Sequence, residues 1–184
     1  MFIQTEQTPN PATLKFLPGR EVMDAGTAYF PDVTLAVKSS LARRLFAVEG
    51  VDGVFFGADF VTVTKAEETA WLHLKPAILA AIMEHFTSGE PLFAEGPDEA
   101  AEESFAEEDA EVVATIKELI ETRVRPAVAQ DGGDILFRGF DKGVVWLHMQ
   151  GSCSGCPSST ATLKAGIENM LRHYVPEVLE VRSV

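Results

Sequence analysis

Apolar residues in the first half of the chain follow strand-like spacing in four short stretches. These stretches are rich in β-branched and aromatic residues and are bounded by Pro, Gly, Asn or Asp, which is typical of strands. The four predicted strands are residues 2–6, 13–17, 50–56 and 60–64. The last two flank Gly57-Ala58-Asp59, so they predict a β-hairpin with a three-residue loop.

Two other stretches of the first half have helical spacing. Ser39 and Ser40 can cap a helix that continues to Phe46. A second helix is predicted to begin at Pro76, because proline is favoured at the first helical position. Its apolar residues recur at spacings of three and four, at Ile78, Leu79, Ile82, Met83 and Phe86. Gly89 follows them, where a helix end is expected.

The second half begins with another helical stripe of apolar residues. The stripe consists of Val112, Val113, Ile116, Leu119, Ile120 and Val124. Pro126 is expected to limit this helix. The pattern then predicts a turn at 131–134, strands at 135–140 and 144–149, a helix from Pro157 that Pro176 stops, and a strand at 178–181. The order αββαβ predicts an α+β domain of about 70 residues.

Charge divides the chain into three parts. The net charge is −13, and ten acidic residues lie between Glu90 and Glu111 with no Lys or Arg among them. A self-repelling stretch that also contains Pro and Gly is typical of an extended linker. We therefore predict two small α+β domains, at residues 1–89 and 109–184, joined by an acidic flexible linker at 90–108. The charge also excludes nucleic acid as an expected partner, since no basic stripe offsets it.

The apolar stretches are all too short for a membrane span, which needs roughly 18 residues. The N-terminus has no basic stretch followed by an apolar one, so no signal peptide is predicted. We expect no membrane partner. A reducing compartment, most simply the cytoplasm, fits a chain that needs no disulfide.

The chemistry of the chain is concentrated in its two cysteines, Cys153 and Cys156, which lie in the loop Gly151-Ser152-Cys153-Ser154-Gly155-Cys156-Pro157. A tetrahedral zinc or an iron–sulfur cluster usually takes about four such ligands. One chain cannot supply four cysteines, so either a second copy contributes the other pair or the pair acts alone as a dithiol. The loop lies between a strand and a helix start, where free N–H groups and the helix dipole are expected to lower the thiol pKa.

Three other interpretations of the cysteines remain open from the residues alone. A dithiol–disulfide oxidoreductase also uses Cys-x-x-Cys at a helix start, although usually after the first strand of a βαβ unit. A zinc-bridged structural dimer would use the same ligands. The cysteines could also be small buried apolar residues. The histidines His73, His85, His148 and His173 are interpreted as surface or sheet-face residues, with His148 the nearest to Cys153.

Several motifs together resemble those of a known family. Asp131-Gly132-Gly133-Asp134-Ile135, the cysteine loop with Pro157-Ser158-Ser159, and Gly166-Ile167-Glu168 are similar to the NifU C-terminal (Nfu) domain. The first half resembles the N-terminal domain of the longer Nfu proteins, at Thr8-Pro9-Asn10-Pro11, Leu14-Lys15-Phe16 and Asp59-Phe60-Val61-Thr62-Val63-Thr64. The resemblance covers nearly the whole chain apart from the acidic linker.

The resemblance implies a scaffold or carrier of iron–sulfur clusters and not an enzyme. Cys153 and Cys156 would hold a [4Fe-4S] cluster, with [2Fe-2S] as the alternative, bridging two copies of the chain. The implied partners are a second copy, an upstream cluster-assembly donor and apo iron–sulfur client proteins. Because the chain begins without an Arg-rich presequence, we expect a bacterial cytoplasmic protein.

Overall fold

The computed structural model describes residues 2–94, 102–154 and 157–184, without the side chains of residues 157–159. It divides the chain into two compact units, Met1–Asp98 and Glu99–Val184. We call these the N-terminal unit and the C-terminal unit, and each is described by itself. No helix in the described part of the chain is both long enough and apolar enough to cross a bilayer.

The N-terminal unit is an antiparallel sheet with two α-helices. Its strands and helices are β1 Gln4–Gln7, β2 Thr13–Leu17, β3 Ala28–Phe30, α1 Ser40–Phe46, β4 Val51–Phe56, β5 Val61–Lys65 and α2 Trp71–Ser88. The strand order is β1-β2-β5-β4-β3. All four predicted strands and both predicted helices are confirmed, while β3 was not predicted. The hairpin of β4 and β5 is antiparallel, as its loop sequence indicated.

One hydrophobic core joins the helices of the N-terminal unit to its sheet. The fully buried side chains of this core include Phe16, Phe56, Leu41, Leu45, Ile78 and Ile82. Helix α1 begins as predicted, because the Ser39 hydroxyl accepts a hydrogen bond from the Ala42 N–H at 3.2 Å. This bond satisfies one of the backbone donors that a helix start leaves open.

Helix α2 begins at Trp71, so the prediction that Pro76 is its first residue was wrong. The first turn is fixed by contacts that the spacing did not show: the Trp71 indole N–H donates to the Pro11 carbonyl at 3.2 Å, and Leu74 is buried. Pro76 has no N–H to donate to the carbonyl four residues earlier, at Leu72. Leu72, whose carbonyl loses this partner, is 81% exposed.

The residues after α2 stay attached to the N-terminal unit. The Ser40 N–H donates to the Leu92 carbonyl at 3.2 Å, and the Ala94 N–H donates to the Lys38 carbonyl at 3.0 Å. The Ser40 hydroxyl donates to the Pro91 carbonyl at 2.7 Å. These residues belong to the predicted linker at 90–108, of which residues 95–101 lie outside the described ones. The domain boundaries stay a prediction.

The C-terminal unit is a mixed sheet with helices on its core side. Its elements are β6 Ser104–Phe105, α3 Ala110–Leu119, α4 Arg125–Gln130, β7 Gly133–Asp141, β8 Val144–Gly151, α5 Pro157–Tyr174 and β9 Glu180–Ser183. The strand order is β6-β7-β8-β9, with β7 and β8 antiparallel and the outer strands parallel to their neighbours. The predicted order αββαβ is confirmed. The two-residue strand β6, which precedes it, was not predicted.

Pro126 does not end the first helix of the C-terminal unit, contrary to prediction. One π-helical turn, Ile120–Val124, follows α3, and α4 continues from Arg125 with Pro126 in its first turn. A proline ring clashes with the carbonyl four residues earlier in a regular α-helix. The wider π turn inserts one residue before Pro126, which relieves that clash without breaking the helix. The apolar stripe therefore continues to Val128 and packs with β7, β8 and α5 in one core.

Two exposed glycines in helical segments predict stability changes of opposite sign. Gly89 ends α2 with a φ of 71°, and Gly166 lies inside α5; a β-carbon at either position would contact nothing within 4 Å. Gly89→Ala should lower the unfolding free energy by about 1 kcal/mol. The added β-carbon has room, but the left-handed backbone conformation at this position is unfavourable for alanine. Gly166→Ala should raise it by about 0.5–1 kcal/mol through helix propensity. Urea unfolding of the full chain measures both, and equal signs would contradict the assignment of these helix positions.

Candidate functional site

The cysteine loop connects β8 to α5, as the sequence predicted. Gly151 ends β8 with a φ of 65°, in the left-handed region that favours glycine. The structure describes the loop as far as Ser154. Of the two predicted ligands it therefore describes Cys153, while Cys156 lies outside the described residues together with Gly155.

The turn at 131–134 lies directly against the cysteine loop. The Ser152 N–H donates to the Gly132 carbonyl at 3.2 Å, and the Ser152 hydroxyl donates to the Asp131 carbonyl. Gly133 is the register partner of Gly151 in the β7–β8 ladder. The sequence predicted this segment as a turn and as a motif of the family, but it did not indicate the contact with the loop. In the structure it is the surface on which the first half of the loop rests.

The side chain of Cys153 is withdrawn into the protein against Gly133. A β-carbon on Gly133 would lie 2.6 Å from the Cys153 sulfur and 2.8 Å from the Gln150 carbonyl oxygen. Both distances are shorter than van der Waals contact, so this position of the sulfur requires glycine at 133. Cys153 is only 7% exposed and belongs to the core of the C-terminal unit.

Burial raises the pKa of the Cys153 thiol to about 11. A hydrogen bond with Ser152 opposes the effect of burial on the pKa, and the negative charges of Asp131 and Asp134 add to it. The predicted lowering of the pKa by the helix start is therefore wrong for Cys153 in this conformation. Removal of the thiol from water outweighs the dipole, because an apolar surrounding disfavours the thiolate.

A buried ion pair fixes the turn beneath the loop. Arg125 donates two hydrogen bonds to the Asp134 carboxylate, both at 2.8 Å, and the Asp134 side chain is only 4% exposed. Arg125 also binds Glu121 one turn earlier, and Asp134 Oδ1 accepts the Ile135 N–H at 2.8 Å. The hydrogen bond to Asp134 is the main cause of a raised pKa of Arg125. Sequence reasoning missed this pair, since no periodicity links a helix residue to a turn nine positions later.

The histidines are not brought to the cysteine loop by the contacts that the structure shows. His148 Nδ1 lies 3.2 Å from the Val184 carbonyl oxygen, and the His173 ring packs against Tyr174. His85 is buried in the N-terminal unit, which corrects its interpretation as a surface residue; burial lowers its pKa. Among residues 2–94, 102–154 and 157–184, no group of three or more His, Cys, Asp or Glu side chains could hold a metal ion.

Comparison with known proteins covers both units. The family model "Scaffold protein Nfu/NifU N terminal" matches residues 3–89, and the model "NifU-like domain" matches residues 116–182. Over its whole length the chain is 57% and 56% identical to the Arabidopsis thaliana proteins "NifU-like protein 4, mitochondrial" and "NifU-like protein 5, mitochondrial", covering 66% and 68% of them. It is 55% identical to the human "NFU1 iron-sulfur cluster scaffold homolog, mitochondrial", covering 72% of it. The chain thus spans about two thirds of the length of these relatives.

The relatives correct the expected location. All three are named as mitochondrial proteins, so the expectation of a bacterial cytoplasmic protein was wrong. That expectation depended on the first residues of the chain. Its relatives are longer than the chain, so its first residue carries no information about a leader.

Loss of the buried ion pair should destabilise the C-terminal unit. Arg125→Met keeps an unbranched stem but leaves the Asp134 carboxylate buried without its charged partner. Removing one partner of such a pair costs about 3 kcal/mol of unfolding free energy. Arg172→Met is the matched control, because Arg172 meets Glu168 at 3.9 Å on an exposed helix face, and its loss should cost less than about 0.5 kcal/mol. Similar small losses in urea unfolding of both variants would contradict the structural role of Arg125.

The burial of Cys153 predicts an unusual pH dependence of alkylation. In Cys156→Ser, Cys153 is the only thiol, and only the thiolate reacts with iodoacetamide. Since the pKa of Cys153 is raised to about 11, the rate should still be rising near pH 10. The same variant unfolded in urea should level off above the ordinary thiol pKa of about 8.5. A plateau below pH 9 in the folded chain would contradict the buried thiol.

Proposed function

This chain belongs to the Nfu/NifU family of iron–sulfur cluster scaffold proteins, and we propose that two copies of it carry one [4Fe-4S] cluster between them. Cys153 and Cys156 of each copy are the proposed ligands. The chain receives the cluster from an upstream assembly donor and passes it to apo iron–sulfur proteins. It catalyses no reaction of its own in this proposal.

The observation that carries the proposal is the Cys-x-x-Cys loop between β8 and α5, inside the region that the NifU-like domain model matches. A [4Fe-4S] cluster usually takes four cysteine ligands, and the whole chain has two. Among the residues that the structure describes, no group of three or more His, Cys, Asp or Glu side chains could hold a metal ion by itself. A second copy is the simplest source of the missing pair.

Delivery follows from ligand exchange. The sulfur of a client cysteine binds an iron of the bridging cluster and displaces one cysteine at a time, so that the iron is never left without sulfur ligands. Each exchange replaces one iron–thiolate bond with another of the same kind, so little free energy separates carrier from client. The direction of transfer is then set by how many ligands the client offers and how well it buries the cluster.

The place of the cysteine pair in the fold supports the carrier over a dithiol–disulfide oxidoreductase. Such oxidoreductases usually place Cys-x-x-Cys after the first strand of a βαβ unit. Here the pair follows the antiparallel strands β7 and β8. A zinc-bridged dimer would use the same four thiolates, and metal and sulfide analysis separates it from the carrier.

The N-terminal unit is proposed to contact partners. It contributes no cysteine, and its described residues pack around a hydrophobic core of their own. A domain without ligands that accompanies a cluster-binding domain is suited to recognising donors or clients, and this argument rests on family analogy. The [4Fe-4S] assignment, with [2Fe-2S] as the alternative, also rests on the family.

Anaerobic reconstitution with iron and sulfide tests the proposal. We expect about four iron and four sulfide per two chains, no zinc requirement, and a shift from monomer to dimer mass in native mass spectrometry. Cys153→Ser and Cys156→Ser should each lose most of the cluster. Ser154→Ala, between the two cysteines, is the matched control and should load normally. A monomer with a complete cluster, or normal loading of both cysteine variants, would overturn the proposal.

A further inference from the structure

We propose that Cys153 alternates between the withdrawn position against Gly133 and an exposed position that binds the cluster, and that withdrawal of the sulfur favours cluster release. This inference rests on the proposed carrier function. It assigns Gly133 and Ser152 as positioning residues for the exchange, because both act on the cluster through Cys153.

In the withdrawn position Cys153 is almost fully buried, with 7% of its surface exposed. The Cys153 side chain is surrounded by the core of the C-terminal unit, and its sulfur lies within van der Waals reach of Gly133. A cluster held between two chains needs sulfur atoms that face outward, where ligands of the second copy can reach it. The conformation described here is therefore incompatible with a bridging cluster at Cys153, and loading requires this side chain to move out.

The withdrawn position is fixed by specific contacts on both sides of Cys153. On one side, Ser152 binds the turn through its N–H to Gly132 and through its hydroxyl to Asp131. On the other side, the Thr160 hydroxyl of α5 donates to the Cys153 carbonyl at 2.9 Å. Gly133 provides the space for the sulfur, since a single added carbon would occupy it. The bonds of Ser152 and Thr160 thus hold the backbone on both sides of Cys153, and Gly133 leaves the space that its sulfur occupies.

Release can then be written as a balanced exchange. The client cysteine enters as a thiol, its sulfur forms the new bond to iron, and the bond between iron and the Cys153 sulfur breaks. The proton lost by the client thiol is taken up by Cys153, which withdraws as a neutral thiol. No electron is transferred, and no further reactant is needed. The neutral thiol is the form that an apolar pocket accepts most readily.

The withdrawn state competes with the cluster for the same sulfur. The apparent affinity of a ligand falls in proportion to the fraction of the protein that is competent to bind it. A stable withdrawn state thus weakens cluster binding and speeds transfer. A variant without the pocket should hold its cluster more tightly and deliver it more slowly, which is the opposite of what general damage to the site would cause.

Gly133→Ala removes the pocket, and Gly139→Ala is its matched control. A β-carbon at Gly139 would lie 2.7 Å from the Ser104 carbonyl oxygen, so it is similarly crowded on the same strand. Gly139 pairs with Trp146, however, whereas Gly133 pairs with Gly151 at the start of the loop. In the Cys156→Ser background, alkylation of Cys153 at one fixed pH should rise about tenfold in Gly133→Ala, because overpacking expels the side chain. Gly139→Ala should leave the rate unchanged even if it lowers the melting temperature by the same amount.

Cluster transfer gives the second measurement, on chains with both cysteines. The loaded dimer is mixed with the apo form of a [4Fe-4S] ferredoxin, and transfer is followed by absorption or circular dichroism. Gly133→Ala should transfer about tenfold more slowly than the unchanged chain, in line with the shift in Cys153 exposure. Ser152→Ala keeps the pocket but removes one fixing bond, and it should change both rates in the same direction by a smaller factor. It also keeps the inference testable if Gly133→Ala does not fold.

The outcomes separate this inference from the proposed function. If Gly133→Ala and Ser152→Ala load normally but neither changes alkylation or transfer, Cys153 does not alternate, while the carrier proposal stands. If both variants transfer faster than the unchanged chain, withdrawal does not drive release and the inference is overturned. If the unchanged chain itself binds no cluster, the proposed function fails first.

Discussion

The bidentate ion pair between Arg125 and Asp134 is the contact on which the geometry of the cysteine loop depends. It joins the first residue of α4 to the start of β7, and so holds the turn that lies beneath the loop. Ser152 binds that turn through its N–H and its hydroxyl. The Asp134 side chain is only 4% exposed, so without Arg125 its carboxylate would be a buried charge that has lost its charged partner. The position of one thiol is thus set by two residues that are distant from it in sequence.

The spacing of apolar residues, together with the Pro, Gly and capping residues at the ends of elements, predicted most of the fold. Two strand-like stretches around a short loop predicted the hairpin of β4 and β5, and Ser39 predicted the start of α1. The two prolines inside helical stripes were misinterpreted, because each was judged by local preference alone. Helix α2 begins before Pro76, where the Trp71 indole fixes the first turn. At Pro126 a π turn relieves the clash of the proline ring with the preceding turn. Strand β6 has only two residues, which is too short for any periodicity to show.

The sequence predicted the family and two candidate ligands, which stay a prediction, but it did not predict the burial of Cys153. The spacing of Cys153 and Cys156 and the residues around them were sufficient for the family, whose domains the comparisons match in both halves. The protonation of Cys153 was not predictable, because it depends on Gly133 leaving room for the sulfur. Such a contact joins residues twenty positions apart and leaves no trace in spacing or propensity. The helix start was the only electrostatic signal in the sequence, and burial has a larger effect on the pKa.

The withdrawn thiol also has a consequence for chemical damage. Oxidation of cysteine to sulfenic acid and beyond proceeds through an accessible thiolate. Cys153 in the position described here is almost fully buried, and burial raises the pKa of its thiol. We therefore expect its thiol to react slowly with peroxide. The glycine at 133, which leaves room for the sulfur, would then also shield that sulfur from oxidants.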